Sequence, residues 1–135
     1  MESSKQYKID KRIVYLAYKK VKANKGSPGI DGTNFEAYER NLKDNLYKLW
    51  NRMSSGSYFP KAVMAVEIPK KSGGVRVLCV PTIEDRVAQM TAKLYIEPRL
   101  DALFHEDSYG YRPNKSAINA VGKARERCWK YDYVI

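Results

Sequence analysis

Two short β-branched runs, residues 63–68 (VMAVEI) and 75–80 (VRVLCV), stand either side of Pro69-Lys70-Lys71-Ser72-Gly73-Gly74. The longer apolar stripes on either side repeat at helical spacing. Alternating runs joined by a glycine-containing turn predict an antiparallel β-hairpin with a basic tip. The expected fold class is therefore α+β: mainly helical, with a small antiparallel hairpin sheet of two or three strands.

The helices on either side follow from apolar period and end signals. Residues 10–23 place Ile13, Leu16, Ala17 and Val21 on one stripe, with lysines opposite. The loop Asn24-Lys25-Gly26-Ser27-Pro28-Gly29-Ile30-Asp31-Gly32 then forbids regular structure. Thr33 and Glu36 have capping-box spacing for a second helix, with the stripe Phe35, Tyr38, Leu42, Leu46, Leu49 and Met53, ending near Ser55-Gly56. Pro81 closes the second strand, and Thr82 with Asp85 offers another cap. Ile83, Val87, Met90 and Leu94 form the stripe of a third helix, which Pro98 is expected to kink or restart near Ile96-Glu97. A polar loop follows from His105 to Lys115. Ser116 caps a fourth helix with the stripe Ala117, Ala120, Val121, Ala124 and Cys128, and residues 133–135 read as the start of a strand. A chain ending inside a strand reads as part of something longer. Cys79 and Cys128 lie far apart in apolar surroundings and read as reduced core residues, which points to the cytoplasm.

Charge narrows the function. Twenty-five Lys and Arg face fifteen Asp and Glu, a net of +10. Residues 1–25 carry eight of the cations, including Lys19 and Lys20, against Glu2 and Asp10. Such an excess suits polyphosphate, because contacted phosphates release condensed counterions. A solvated basic surface and a membrane-surface helix are the alternatives. Eleven tyrosines favour RNA, whose unpaired bases stack on aromatic rings. No apolar run approaches the roughly 20 residues of a bilayer span, and the first ten residues lack a secretory signal's apolar segment.

No catalytic constellation is legible. His105 is the single histidine and sits in an acidic loop, and no spacing of ligands suggests a metal site. Adjacent Glu84 and Asp85 diverge by about 100° on a helix and read as capping and solvation. Lys70, Lys71 and Arg76 cluster at one hairpin end, where they either clamp phosphate or keep the tip soluble. The glycines of the 24–32 loop serve either close approach to phosphate or a tight helix connection.

Four blocks in order resemble the N-terminal part of group II intron-encoded reverse transcriptases, or intron maturases. They are the loop 24–32, Ile68-Pro69-Lys70-Lys71 with Gly73-Gly74-Val75-Arg76, Val80-Pro81-Thr82-Ile83-Glu84-Asp85-Arg86, and Ser108-Tyr109-Gly110-Tyr111-Arg112-Pro113. The resemblance runs from about residue 15 to the end. It implies an N-terminal helical extension over residues 1–56 and the fingers of a right-hand polymerase over 57–135, with the palm absent. It matches Lys70 and Arg76 to positions that hold the incoming deoxynucleotide's phosphates, and Leu78 and Val80 to positions that pack on the templating base. Arg86, Tyr109 and Arg112 fall at template positions, and Lys19, Lys20, Asn24, Lys25 and Gly26 in the RNA-binding extension and its loop. Variants at Lys61-Ala62-Val63-Met64-Ala65 and Val77-Leu78-Cys79 leave the phosphate positions intact. The implied partners are group II intron RNA, template RNA with primer and, in the intact protein, deoxynucleotides, with no membrane. The intact polymerase would use Mg2+ held by palm aspartates, so these residues alone are expected to be inactive. A homodimer through the last helix's apolar stripe is a further expectation. A free-standing, non-catalytic RNA-binding module is the competing reading, and a retron-like, diversity-generating or CRISPR-linked reverse transcriptase is a third.

Overall fold

A computed structural model describes residues 5–133. Five helices and one hairpin follow in the order α1 (Lys11–Ala23), α2 (Phe35–Glu39), α3 (Leu42–Ser55), β1 (Met64–Pro69), β2 (Val75–Val80), α4 (Ile83–Asp101) and α5 (Ala117–Lys130). The fold is α+β with one two-stranded antiparallel sheet. It divides into two compact units, Met1–Tyr95 and Ile96–Ile135.

In the first unit, Asp10 caps α1 by accepting from the Arg12 amide at 2.8 Å. The buried face is Val14, Ala17, Tyr18 and Val21. This corrects the expected stripe: Leu16 is exposed and Ile13 only half-buried. Tyr18 turns the helix, because its ring enters the core while its hydroxyl donates to Glu39. A purely aliphatic count of the stripe omits it.

The single helix expected over 33–55 is two. Asn34, rather than Thr33, caps α2 by accepting from the Ala37 amide at 2.8 Å. The chain then breaks at Asn41 (φ −124°, ψ 39°). The Asn45 side-chain amide donates to the Tyr38 carbonyl at 2.9 Å, the acceptor that a continuous helix would offer to Leu42. α3 ends where expected, on Gly56 in the left-handed region (φ 73°). The segment before α1 lies along α3, with the Trp50 indole donating to the Ile9 carbonyl at 2.7 Å and the Tyr7 amide to the Ser54 carbonyl at 3.0 Å.

Leu49 of α3 joins the α1 face, Tyr38, and Ile83, Val87 and Ala88 of α4 in one apolar core. Helices from both sides of residue 56 thus share that core. The hairpin matches its expected position, pairing Met64 with Val80 through to Pro69 with Val75. Gly73 and Gly74 both take positive φ at the tip, where the Lys70 amide donates to the Gly74 carbonyl at 3.0 Å. Thr82 caps α4 as expected, accepting from the Asp85 amide at 3.2 Å.

In the second unit, α4 continues through Pro98 to Asp101 instead of restarting before it. Ser116 caps α5 as expected, accepting from the Asn119 amide at 3.2 Å, but α5 buries none of its residues. Both cysteines are exposed, against the expectation of core positions. Cys79 lies on the face of the two-stranded hairpin whose residues are all exposed, and Cys128 on the uncovered α5. Tyr133 carries no strand assignment, and the rest of the strand expected at 133–135 lies outside the described residues.

Candidate nucleic-acid interface

Strand alternation decides what the hairpin presents. Residues two apart share a face, so Arg76, Leu78 and Val80 stand on one side, opposite Ile68, Val66 and Met64. Arg76 and Leu78 are exposed and Val80 is half-buried, while Lys70 is exposed at the tip. The four hairpin residues singled out by sequence therefore form one cationic end running into one apolar strip. The opposite face carries Ala65, Glu67, Val75, Val77 and Cys79.

Two glycines of the 24–32 loop lie in close approach to the start of α4. A Cβ on Gly29 would stand 2.7–2.9 Å from backbone atoms of Thr82 and Pro81. A Cβ on Gly26, whose φ is +128°, would stand 2.7 Å from Arg86 Nη1. Gly32 has open space around it. Arg86 stitches the loop to the start of α4: its Nη2 donates to the Ser27 carbonyl and its Nε to the Pro81 carbonyl at 3.1 Å. The structure thus brings Gly26 and Arg86 together, with Asn24 and Lys25 beside them on the exposed side of the loop.

On α1, Lys19 and Lys20 are exposed, with Lys19 Nζ 4.8 Å from the Tyr15 ring centre. Other cations on this unit lie over aromatic rings, Lys5 at 3.2 Å and Lys11 at 4.3 Å from the Trp50 ring. Lys22 pairs with Glu39, and that bond together with the Tyr18 hydroxyl holds the Glu39 carboxyl below its ordinary range.

In the second unit Tyr109 is half-buried beneath Lys115, whose Nζ is 4.7 Å from the ring centre. Arg112 donates to the Asp101 carboxylate at 2.7 Å and to the carbonyls of Asp101, His105 and Ser108 at 2.9, 2.8 and 3.1 Å. Its guanidinium faces its own loop.

Sequence reasoning took Asp85 for a solvated cap and missed its burial. It is 2% exposed and accepts from the Tyr58 hydroxyl, from Thr82 Oγ1 at 2.6 Å and from the Lys61 amide at 3.3 and 3.4 Å. Burial, and next the bond to Asp85, push the Tyr58 phenol up. Capping-box spacing was the available signal, and only the folded packing shows that this cap is also a buried hub. Lys61 continues the network, its Nζ 3.3 Å from Asp31 and 3.8 Å from Glu84. Among the described residues no group of three or more His, Cys, Asp or Glu side chains could hold a metal ion, and no helix is long and apolar enough to cross a membrane.

No family model matches the chain. Curated relatives do. Protein YkfC of Escherichia coli K12 is 36% identical over 95 residues, covering 70% of this chain and 25% of the relative. Maturase-like protein 1 of Euglena longa is 34% identical over 124 residues, 82% of this chain and 26% of the relative. Group II intron-encoded protein LtrA of Lactococcus lactis is 27% identical over 117 residues, 86% and 19% respectively. The chain spans about a quarter or less of the length of each.

Proposed function

The chain belongs to the family of group II intron-encoded proteins and maturases, and from that premise we propose that it forms the N-terminal extension (1–56) and fingers (57–135) of a reverse transcriptase that also supports splicing of its intron RNA. In this reading Lys19, Lys20, Asn24, Lys25 and Gly26 bind intron and template RNA. Lys70 and Arg76 neutralise the phosphates of the incoming deoxynucleotide, and Leu78 and Val80 pack on the templating base. Arg86 and Arg112 contribute chiefly by holding loops in shape, since both guanidiniums face loop carbonyls. Tyr109 stays on the template side. The intact protein would add the metal-binding carboxylates and Mg2+, use a primer, and serve retrotransposition from the cytoplasm. No step assigned to the described residues runs through a metal.

The carrying observation is the hairpin register, which lines up Arg76, Leu78 and Val80 on one face below Lys70. A phosphate clamp running into an apolar strip suits a nucleotide paired to a template base. The test is steady-state kinetics of the intact polymerase carrying Lys70→Ala and Arg76→Ala. Loss of either charge-assisted contact, worth about 1.5–3 kcal/mol, should raise KM for deoxynucleotides about tenfold or more, and loss of both about a hundredfold or more. Unchanged KM would refute the assignment.

The second reading, an RNA-binding module without catalysis, draws on the net charge of +10. Both readings require RNA affinity that falls steeply as salt rises. They part at the hairpin, where the module alone requires no deoxynucleotide binding.

A further inference from the structure

The C-terminal end of α1 and the middle of α4 line a cavity of about 310 Å3, all of it within the unit Met1–Tyr95. Small-molecule sites run from roughly 300 to 1,000 Å3, so this one has room for a single small ligand. Its lining combines three chemistries. Val21, buried, and Met90, half-buried, are its apolar residues. Asn24 and Gln89 bring two side-chain amides, each offering donors and an acceptor. Lys25, Arg86 and Lys93 bring positive charge.

The rim is held in place. Arg86 is anchored on the Ser27 and Pro81 carbonyls, and the Gly26 backbone lies against its guanidinium. Lys25 takes φ +54°, in the left-handed region that a non-glycine residue seldom adopts. That is the conformation in which helices commonly end, one residue past the cap. Among the described residues neither amide side chain, Asn24 nor Gln89, has a hydrogen-bond partner within the protein, and both residues are exposed.

We propose that this cavity takes one unpaired nucleobase of single-stranded RNA. The ring packs against Val21 and the Met90 thioether, Asn24 and Gln89 hydrogen-bond the base edge, and the adjoining phosphate lies by Lys25. Apolar floor, paired amides and a neighbouring cation are the three features that a base with its phosphate requires, and a phosphate alone would leave the floor and both amides unused. The inference rests on the RNA-binding reading above and deepens it, adding Val21, Gln89 and Met90 as contacts to a base.

The test is an NMR titration of the 135-residue protein with uridine 5′-monophosphate, with ribose 5-phosphate, and with a short single-stranded oligouridylate. The nucleotide should shift the side-chain amide signals of Asn24 and Gln89 and the Met90 methyl signal, and ribose 5-phosphate should not. Gln89→Leu, at an exposed position, should weaken nucleotide binding about tenfold and leave the salt slope of oligouridylate binding unchanged. Equal shifts from ribose 5-phosphate would make the cavity a phosphate site and overturn the proposal. Oligouridylate that binds with a steep salt slope but leaves those three signals still would overturn it too, with the RNA-binding reading intact. RNA that fails to bind at low salt would remove the RNA-binding reading and this inference with it.

Discussion

The two compact units solve the same problem with different materials. Residues up to Tyr95 bury an apolar core around Leu49, Ile83 and Val87 and place one carboxylate, Asp85, at its edge with hydrogen bonds from Tyr58, Thr82 and Lys61. Among residues 96–133 none is buried. There a cation does the organising: Arg112 gathers the Asp101 carboxylate and three carbonyls, and Arg127 bonds both Asp107 oxygens at 2.7 and 2.8 Å. Hydrogen bonds within a protein replace bonds to water and net about 1 kcal/mol each, whereas a fully buried Leu or Ile contributes about 1.5–3 kcal/mol. The first unit should therefore resist unfolding as a block, and the second should open locally at much lower cost.

The sharpest break in that comparison comes from Leu49, which has no exposed surface. Leu49→Ala should cost about 2–5 kcal/mol, read as a lowered urea midpoint. A loss below about 1 kcal/mol would mean that the core is not what holds this unit. The next effect belongs to Arg112. Lysine keeps the charge but lacks the planar fork that reaches one carboxylate and three carbonyls together. Arg112→Lys should thus cost about 1.5–3 kcal/mol locally. Its readout is faster hydrogen exchange at the amides of Leu103 and Ser108, both hydrogen-bonded within that unit, with α1 amides unchanged. Equal loss of protection in α1 would erase the proposed difference between the units.

The smallest effect is a titration. The Arg127 bond holds the Asp107 carboxyl below its ordinary range. A depressed carboxylate contributes stability above the unfolded value of about 3.9, and that contribution disappears as pH falls through the lower folded value. Arg127→Ala should move the Asp107 NMR midpoint upward, toward the ordinary value, and shrink the acid-side loss of protection in residues 103–115. An unmoved midpoint would detach Asp107 from Arg127.

Legibility followed the range of the interactions. The hairpin, the Gly56 stop, and the Thr82 and Ser116 caps were all readable, because each depends on residues within a few positions of one another. The α2–α3 break was not, because a side chain four residues past the break takes the carbonyl that the helix would have used. The candidate site divides the same way. Lys70, Arg76, Leu78 and Val80 were named by motif, and strand alternation then puts the last three on one face. Arg86 and Arg112 were also named, but nothing in the motifs shows that the Arg86 guanidinium bonds the Ser27 carbonyl of a distant loop and that of Arg112 the carbonyls of its own. Gln89 carries no sequence signal, and Met90 reads only as part of a helix stripe, so that both line one cavity is decided by the packing.

The sequence by itself determined the α+β class, the hairpin and the family, since alternation, turn chemistry and ordered motif blocks are all written along the chain. Tertiary structure alone decided which face of α1 is buried, that Asp85 is a buried hub, that both cysteines are exposed, and which arginines are committed to loops. Those outcomes depend on which distant groups compete for the same donors, acceptors and apolar surface, and that competition begins only once the helices pack.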